Sequence, residues 1–401
     1  MSNQQNIEQG TKPGILHGIR VLDFGRYIAG PYCATLLADL GAEVIRIEKL
    51  DGSEDRFVSS VAEGGEGGTF LQVGRNKLGL TLNPMKPQGR EVVKRLVATA
   101  DVVVANLPAP SLAQMGIDYE ALCAIKPDII LTHVSAFGND GPYAARVGFD
   151  LLGQAMSGTM HLTGEEGQPT RLHTPYVDYG TACFAAMGTL AALMERATSG
   201  KGQVVEANLF STACAFNNNL LIEEGVLSLD REPQGNRGFH TAPNDSFRTQ
   251  DGWIVTMVVG NPLFERWAKL MGEAHWLSDA RFSSDTQRGK HSRMISERMQ
   301  AWCAERTTEQ ALAELEAARV PAGPLYSPRE TLADPHAVAR QIFKYTDYPG
   351  LPKPAPLADL PVRLSRTPGG IRQRSPTLGE HTDELLGDLG YSAGEIAALR
   401  E

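Results

Sequence analysis

The chain has 401 residues, of which 42% are hydrophobic and 21% charged, a composition typical of an ordinary soluble globular protein with one large or two ordinary domains. Its formal net charge of −9 disfavours a nucleic-acid partner, because such partners require a basic surface. The five cysteines are scattered in apolar helical contexts without a CxxC pair. This pattern disfavours a disulfide framework, favours a reducing compartment and predicts that the cysteines fill space in the core.

The sequence gives no support for a membrane protein. Residues 1–14 are polar and lack the apolar stretch of a signal peptide. The richest apolar run, residues 182–194, is interrupted by Gly188 and Thr189 and is shorter than the roughly 20 residues that cross a bilayer. We therefore expect a cytoplasmic protein without a membrane partner.

The first predicted elements form a strand, a helix and a second strand. Residues 19–24 are apolar and β-branched enough for a buried strand. Pro31 stands at a plausible first helical position, and Gly41 stands where a helix commonly ends. Residues 42–48 then read as a second strand, with basic side chains at its carboxyl end, where open α/β sheets bind their ligands.

Strands and helices continue to alternate up to about residue 210. The further predicted strands are 78–82, 102–105 and 129–134, and the further predicted helices are 89–100, 119–125 and 178–198. This alternation predicts an α/β fold with an open, mostly parallel, Rossmann-like sheet that has helices on both faces.

The character of the sequence changes after this alternation. A strand pair at 245–248 and 253–258 is followed by helices rich in Arg, Glu and Ala, which predicts a smaller α+β domain. We therefore expect a large domain over residues 1–224, a small domain over 225–330, and a linker with a carboxyl-terminal segment over 331–401.

Several segments of the chain carry a family resemblance, in order and with the expected spacing. Among them are GIRVLDFGRYIAGPYCATLLADLGAEVIRIEK (18–49), DVVVANLPAPSLAQMGIDYEAL (101–122), PYVDYGTACFAAMGTLAALMER (175–196) and PTLGEHTDELLGDLGYS (376–392). They resemble the class III CoA-transferases, which include formyl-CoA transferase and the carnitine CoA-transferase. The resemblance implies that acyl-CoA and a small carboxylic acid are the substrates, with no tightly bound cofactor and no metal. It also implies a homodimer whose subunits interlock, helped by a carboxyl-terminal segment that returns to the large domain.

Asp178 matches the nucleophilic aspartate of that family. The resemblance implies that its carboxylate holds the activated acid first as a mixed anhydride and then as an aspartyl-CoA thioester. The local alternative is that Asp178 caps a long helix that begins there. The two interpretations are compatible, because backbone N–H groups at a helix start stabilise negative charge.

The resemblance also assigns residues to CoA. Ile28 and Ala29 would line its chain, and Lys49 would face its phosphates. An arginine that many relatives carry is absent near Asn106, so we expect Lys49, Arg75 or Lys77 to hold the phosphates. The other implied contacts are Leu82, Asn83, Pro84, Met85, Asn106, Leu107 and Gln114 at the adenine, and Ser135, Ala136, Phe137 and Gly138 beside the pantetheine. For Ile28, Leu82 and Leu107 the alternative is a position in the hydrophobic core.

The acid site and the exact activity are less constrained. His240 and Asn244 could contact the acyl group across the dimer, or His240 could be ordinary surface. An α-methylacyl-CoA racemase is disfavoured because Phe149 stands where racemases have a proton-carrying histidine. A CoA-binding subunit without catalysis is disfavoured by Asp178, and the identity of the acids stays open.

No P-loop, GxGxxG, HExxH, CxxC or GxSxG motif supports nucleotide, zinc or serine-hydrolase chemistry.

Overall fold

The computed structural model of the protein describes residues 14–399. Residues 1–13, on which the expectation about a signal peptide largely rests, lie outside the described residues, as do residues 400 and 401. The described strands are β1 (Arg20–Asp23), β2 (Glu43–Glu48), β3 (Lys77–Thr81), β4 (Val102–Ala105), β5 (Ile130–Ser135), β6 (Gly164–Glu165), β7 (Gln168–Pro169), β8 (Val204–Asn208), β9 (Asn244–Arg248), β10 (Trp253–Met257), β11 (Ala322–Pro324), β12 (Phe343–Thr346) and β13 (Ala355–Ala358).

The α-helices of the described chain lie between and after these strands. They are α1 (Ala29–Asp39), α2 (Gly68–Gly74), α3 (Pro87–Thr99), α4 (Ala109–Met115), α5 (Tyr119–Ile125), α6 (Asp150–Met156), α7 (Thr159–Leu162), α8 (Tyr176–Ser199), α9 (Leu209–Phe216), α10 (Asn218–Leu227), α11 (Asn261–Leu270), α12 (Asp285–Lys290), α13 (Ser292–Ala304), α14 (Thr308–Ala317), α15 (Pro328–Ala333), α16 (Pro335–Ala339), α17 (Thr382–Asp388) and α18 (Ala393–Ala398). Short 3-10 helices cover Glu54–Phe57, Ala274–Ser278 and Ala280–Phe282.

The main sheet of the described chain has six parallel strands in the order β3-β2-β1-β4-β5-β8. The predicted α/β class with a parallel sheet is therefore confirmed. The chain winds outward in one direction from β1 to β3 and in the other direction from β4 onward. The boundary between β1 and β4 is thus the topological switch point, where sheets of this kind bind ligands.

Each face of this sheet has its own hydrophobic core, as predicted. Side chains alternate between the two faces along a strand, so Val21 packs with residues of α1 and α8. Its neighbour Leu22 packs with residues of α3 and α5 on the opposite face. The strands are apolar on both sides because both faces are covered.

The chain divides into two compact units, which we describe separately. Among the described residues, the large unit contains 14–157, 172–222 and 335–399, and the small unit contains 158–171 and 223–334. In the small unit the antiparallel sheet β11-β10-β9 encloses a core around Trp267. The predicted strand pair forms β9 and β10, and β11 adds a third strand, within the predicted small domain, that the sequence did not predict. Residues 158–171 join the small unit, although our division of the sequence leaves them in the large domain.

The carboxyl-terminal segment completes one edge of the main sheet in the large unit. The N–H of Gly79 donates to Nδ1 of His381 (3.1 Å), and the N–H of Thr81 donates to Oγ1 of Thr382 (3.1 Å). Beside this edge, the buried Asn76 amide donates to the carbonyl of Gly370 (2.9 Å) and accepts from the N–H of Arg372 (2.7 Å). The segment therefore covers the open edge of β3, which would otherwise expose unpaired N–H groups.

The structure changes two expectations from the sequence, one about the length of the apolar helix and one about the burial of the cysteines. Within residues 14–399, α8 is the helix that is long and apolar enough to cross a membrane by length and composition alone. It is longer than the apolar run of residues 182–194, and core helices of soluble proteins share these properties. The cysteines are free, but Cys183 on α8 is exposed. The prediction that every cysteine fills core space is therefore wrong for Cys183.

Candidate active site

The carboxyl ends of the parallel strands form one edge of the main sheet, and most residues implied to contact CoA lie in the segments that leave it. Ile28 and Ala29 begin α1 after β1, and Lys49 directly follows β2. The others at this edge are Leu82, Asn83, Pro84 and Met85 after β3, Asn106 and Leu107 after β4, and Ser135, Ala136, Phe137 and Gly138 at the end of β5. Gln114 lies farther along, exposed on α4.

Asn106 ties together the two segments that flank the switch point. Its Oδ1 accepts the N–H of Arg26 (2.7 Å), and its Nδ2 donates to the carbonyl of Arg26 (2.8 Å). A Cβ on Gly30 would lie 3.1 Å from Asn106 Cγ, so glycine permits the close approach. The Asn106 amide therefore fixes the shape of the loop after β1.

Asp178 lies in the first turn of α8, and a different residue caps that helix. The helix begins at Tyr176, and its N-cap residue, Pro175, has no side-chain cap bond. Oδ1 of Asp150 accepts the N–H groups of Val177 (2.8 Å) and Asp178 (3.1 Å). The interpretation of Asp178 as the N-cap is therefore wrong, because Asp150 satisfies these N–H groups from the start of α6.

The Asp178 carboxylate is left without a partner. Among residues 14–399 no side chain or backbone group forms a hydrogen bond or ion pair with its oxygens. Burial raises the pKa of this carboxyl to about 7, and the negative charge of Asp150 adds to the effect. The group is therefore partly protonated at neutral pH, and its ionised form is more basic than an ordinary carboxylate.

Asp150 is held in place by a second buried side chain. Its Oδ2 accepts from Nε2 of Gln154 (2.5 Å), one turn later on α6. Oε1 of Gln154 accepts the N–H of Leu172 (3.0 Å) in the segment that leads into α8. Asp150 and Gln154 are 8% and 1% exposed. These contacts fix the start of α8, and with it Asp178, relative to α6.

The structure corrects the expectation about the basic residues. Arg75 is 1% exposed and binds Asp39 (2.7 Å), and Lys77 is 1% exposed and binds Asp23 (2.7 Å). Their charges are already compensated inside the protein, and a phosphate could reach them only by breaking buried ion pairs. Lys49 remains exposed and forms a surface ion pair with Glu54.

The remaining implied contacts differ in their surroundings. Leu82 is 4% exposed and belongs to the core, and Leu107 packs against the same core, so the core alternative describes both side chains. Ile28 is instead the N-cap residue of α1. The N–H of Gly138 donates to Oγ of Ser135 (2.9 Å), which closes a tight turn after β5.

His240 and Asn244 lie in the small unit. Nε2 of His240 is 3.2 Å from Oε1 of Glu223, and the histidine is exposed. Asn244 lines a cavity of about 520 Å³ beside β10 and donates to Oγ1 of Thr241 (3.3 Å).

Two residues of the candidate site escaped the sequence analysis. Asp150 accepts the N–H of Asp178 from 28 positions away, a contact that no local sequence pattern reveals. Tyr27 follows β1 with a left-handed backbone (φ 61°). The one feature of the sequence that could have identified it is its position directly before Ile28. In the described part of the chain, no group of three or more His, Cys, Asp or Glu side chains could hold a metal ion.

Comparisons with known proteins agree over nearly the whole chain. The sequence profile of CoA-transferase family III matches residues 16–382. The chain is 35% identical over 393 residues to succinyl-CoA–D-citramalate CoA-transferase of Chloroflexus aurantiacus, covering 97% of both proteins. It is 34% identical over 392 residues to the beta subunit of succinyl-CoA–L-malate CoA-transferase of the same organism, covering 96% of each. A crystal structure of a CAIB/BAIF family protein from Brucella suis is similar with a TM-score of 0.81 and 30% identity, over 94% of this chain and 100% of that one.

Proposed function

Since the chain belongs to CoA-transferase family III and is a transferase, we propose that it moves CoA from an acyl-CoA thioester to a free carboxylic acid through covalent intermediates on Asp178. The observation that carries this proposal is the unpartnered, partly buried Asp178 carboxylate, whose pKa is raised to about 7. A carboxylate with a raised pKa is a better nucleophile, and one without a counter-ion is free to attack.

The proposed reaction begins when an oxygen of ionised Asp178 adds to the thioester carbonyl. The C–S bond breaks, which leaves a mixed anhydride and releases CoA thiolate. The thiolate then attacks the aspartyl carbonyl and expels the donor acid as its carboxylate, so that CoA is now held as an aspartyl thioester. The acceptor carboxylate attacks this thioester, forms a second anhydride and releases the thiolate again. The thiolate finally attacks the acceptor's carbonyl, which gives the new acyl-CoA and restores Asp178.

We place CoA along the carboxyl edge of the main sheet. The position of the switch point supports this placement. Lys49 would meet the phosphates, since it is exposed at the end of β2. The pantetheine would run past Ile28 and Ala29 and past the turn after β5 toward Asp178, while the adenine would lie near Asn83 and Met85.

For the acids, we propose succinyl-CoA as the donor and a short dicarboxylic acid as the acceptor. The support is that the two Chloroflexus aurantiacus relatives are named for succinyl-CoA, with D-citramalate or L-malate as the other acid. We also propose that the active form is an interlocked homodimer in the cytoplasm, in which His240 and Asn244 contact the acyl group across the dimer.

The decisive experiment is an exchange assay with a labelled acid. Purified protein is incubated with succinyl-CoA and labelled short dicarboxylic acids, and label in the acyl-CoA product is measured. We expect Asp178→Ala to abolish transfer with an unchanged fold, since no nearby side chain can replace the covalent role. The matched control Asp347→Ala removes an exposed aspartate and should transfer CoA normally. Full transfer by Asp178→Ala would refute the mechanism, and loss of deuterium from the α-carbon without transfer would indicate a racemase instead.

A further inference from the structure

Two aromatic side chains pack together next to Asp150, the residue that accepts the backbone N–H of Asp178, and both are exposed. The rings of Tyr27 and Phe149 pack edge to face, with centroids 5.5 Å apart and an interplanar angle of 82°. Phe149 directly precedes Asp150, whose Oδ1 lies 3.1 Å from the Asp178 nitrogen. Yet Phe149 is 62% exposed and Tyr27 is 38% exposed. Large aromatic groups left exposed one residue from the side chain that holds the Asp178 backbone indicate a surface that a ligand covers.

The backbone on both sides of the pair is constrained. Tyr27 has a φ of 61°, a left-handed conformation that is costly for a bulky residue and persists only when the surrounding structure enforces it. The bonds between Asn106 and Arg26 hold this loop from the side of β4. On the other side, a Cβ on Gly148 would lie 3.0 Å from Cβ of Ala136. The turn that carries Phe149 therefore packs closely on the loop after β5.

The Phe149 ring has no group that can transfer a proton or carry charge, so its contribution is packing and exclusion of water. A CoA-transferase has a specific need for such exclusion, because its aspartyl intermediates are as open to water as to the acceptor acid. In the competing reaction a water oxygen adds to the aspartyl carbonyl and the C–S bond breaks. CoA thiolate leaves and takes up a proton, and Asp178 returns as the free acid. Each such event converts acyl-CoA transfer into acyl-CoA hydrolysis.

We infer that Tyr27 and Phe149 form an apolar wall that covers the acyl group and keeps water from the Asp178 carbonyl, so that the intermediates pass to the acceptor acid instead of being hydrolysed. The two rings are positioning residues for the reaction proposed above, on which this inference rests. The wall is complete when the acyl chain lies against the rings, because the bound chain then removes the exposed surfaces of Tyr27 and Phe149 from solvent.

The test measures how acyl-CoA turnover is divided between transfer and hydrolysis. Transfer is followed as labelled acyl-CoA product, and hydrolysis is followed as free CoA thiol formed with succinyl-CoA alone and with acceptor present. Phe149→Ala and Tyr27→Ala should each raise the ratio of hydrolysis to transfer up to about tenfold, the factor that corresponds to loss of one aromatic pair. The double variant should resemble either single variant, because both remove the same contact.

The controls separate this wall from a merely structural role. Phe149→Tyr keeps the ring and should retain the wild-type ratio, and Tyr345→Ala removes an aromatic side chain that is 63% exposed elsewhere in the large unit and should do the same. Adding Asp178→Ala to Phe149→Ala should remove the hydrolysis, because it passes through the aspartyl intermediate. Absence of transfer by the unmodified protein would refute the proposed function. Normal transfer with an unchanged ratio in Phe149→Ala, or lower transfer without more hydrolysis, would overturn the wall.

Discussion

Lys49 is the residue at which the binding of CoA can be tested by charge alone. It lies exposed at the end of β2 and pairs with Glu54. Replacement of Lys49 by Ala should raise the KM for acyl-CoA much more than it lowers kcat, because a remote phosphate contact is made equally in the ground and transition states. The effect should shrink as salt is added, because an exposed ion pair is screened.

Glu54→Gln is the matched control for this prediction. It removes the competing carboxylate and leaves the lysine in place, so the KM should stay the same or fall. Steady-state kinetics at low and high ionic strength provide the measurement. A KM for Lys49→Ala equal to that of the unmodified protein at low salt would show that the phosphates are held elsewhere.

The charged residues show where sequence reasoning is limited. Arg75 and Lys77 were expected to face CoA, yet they bind Asp39 and Asp23, which lie 36 and 54 positions away. A lysine or arginine in a sequence is a surface residue by default, and nothing local indicates which ones are buried with a partner. Asp178 was identifiable because its surroundings match a motif, whereas the bond that Asp150 makes to it depends on the folded chain.

At the scale of elements, the start of α8 is the feature that sets the chemistry of Asp178. Because the pKa of its carboxyl is about 7, the ionised nucleophile is lost as the pH falls. We expect kcat/KM for acyl-CoA to decrease below an inflection near pH 7. Asp150→Asn keeps an oxygen that can accept the two N–H bonds but removes the like charge, so the inflection should move to lower pH.

A second cap provides the control for this pH profile. Asp118 caps α5 by accepting the N–H of Ala121 (3.1 Å). Asp118→Ala should cost about 1 kcal/mol of stability, the usual value for a lost cap, and should leave the inflection unchanged. Initial rates across the pH range, together with thermal unfolding, measure both effects. If Asp150→Asn kept the wild-type inflection, its charge would have no influence on Asp178.

Most elements of the large unit could be predicted because their apolar periodicity is strong. The strand Val102–Ala105 and the helix Tyr119–Ile125 have the predicted bounds, and α8 begins two residues before the predicted start. That difference has a physical reason, since the cap comes from α6 and not from the sequence around Pro175. The strand Ala322–Pro324 was missed because three residues containing glycine and proline carry no strand pattern.

At the scale of the whole molecule, one face of α8 exposes large apolar side chains to solvent. Phe184, Met187 and Met194 lie along this face and are 38%, 61% and 75% exposed. We expect a second copy of the chain to cover them in an interface well above the standard 1,600 Å² or so. Light scattering in detergent-free buffer should give twice the mass of one chain at every accessible concentration.

The dimer should also be inseparable from the fold. In urea, loss of the dimer and loss of helical circular dichroism should coincide. Met187→Glu should lower the midpoint, because it buries a charge in the interface. The control Met294→Glu changes a methionine of α13 that is 38% exposed and should leave the midpoint in place. A folded, active monomer at micromolar protein would contradict this prediction.

The contacts of Asn76 have a consequence for how the protein is made. Asn76 leaves the ribosome long before Gly370, its partner 294 positions later. The N–H groups of Gly79 and Thr81 in β3 likewise stay unpaired until His381 and Thr382 have been synthesised. A nascent chain therefore carries an open strand edge until residues 370–382 have been made, a state that is prone to pairing with other chains. A chain that stops before residue 370 therefore has all six strands of the main sheet but leaves the edge of β3 uncovered.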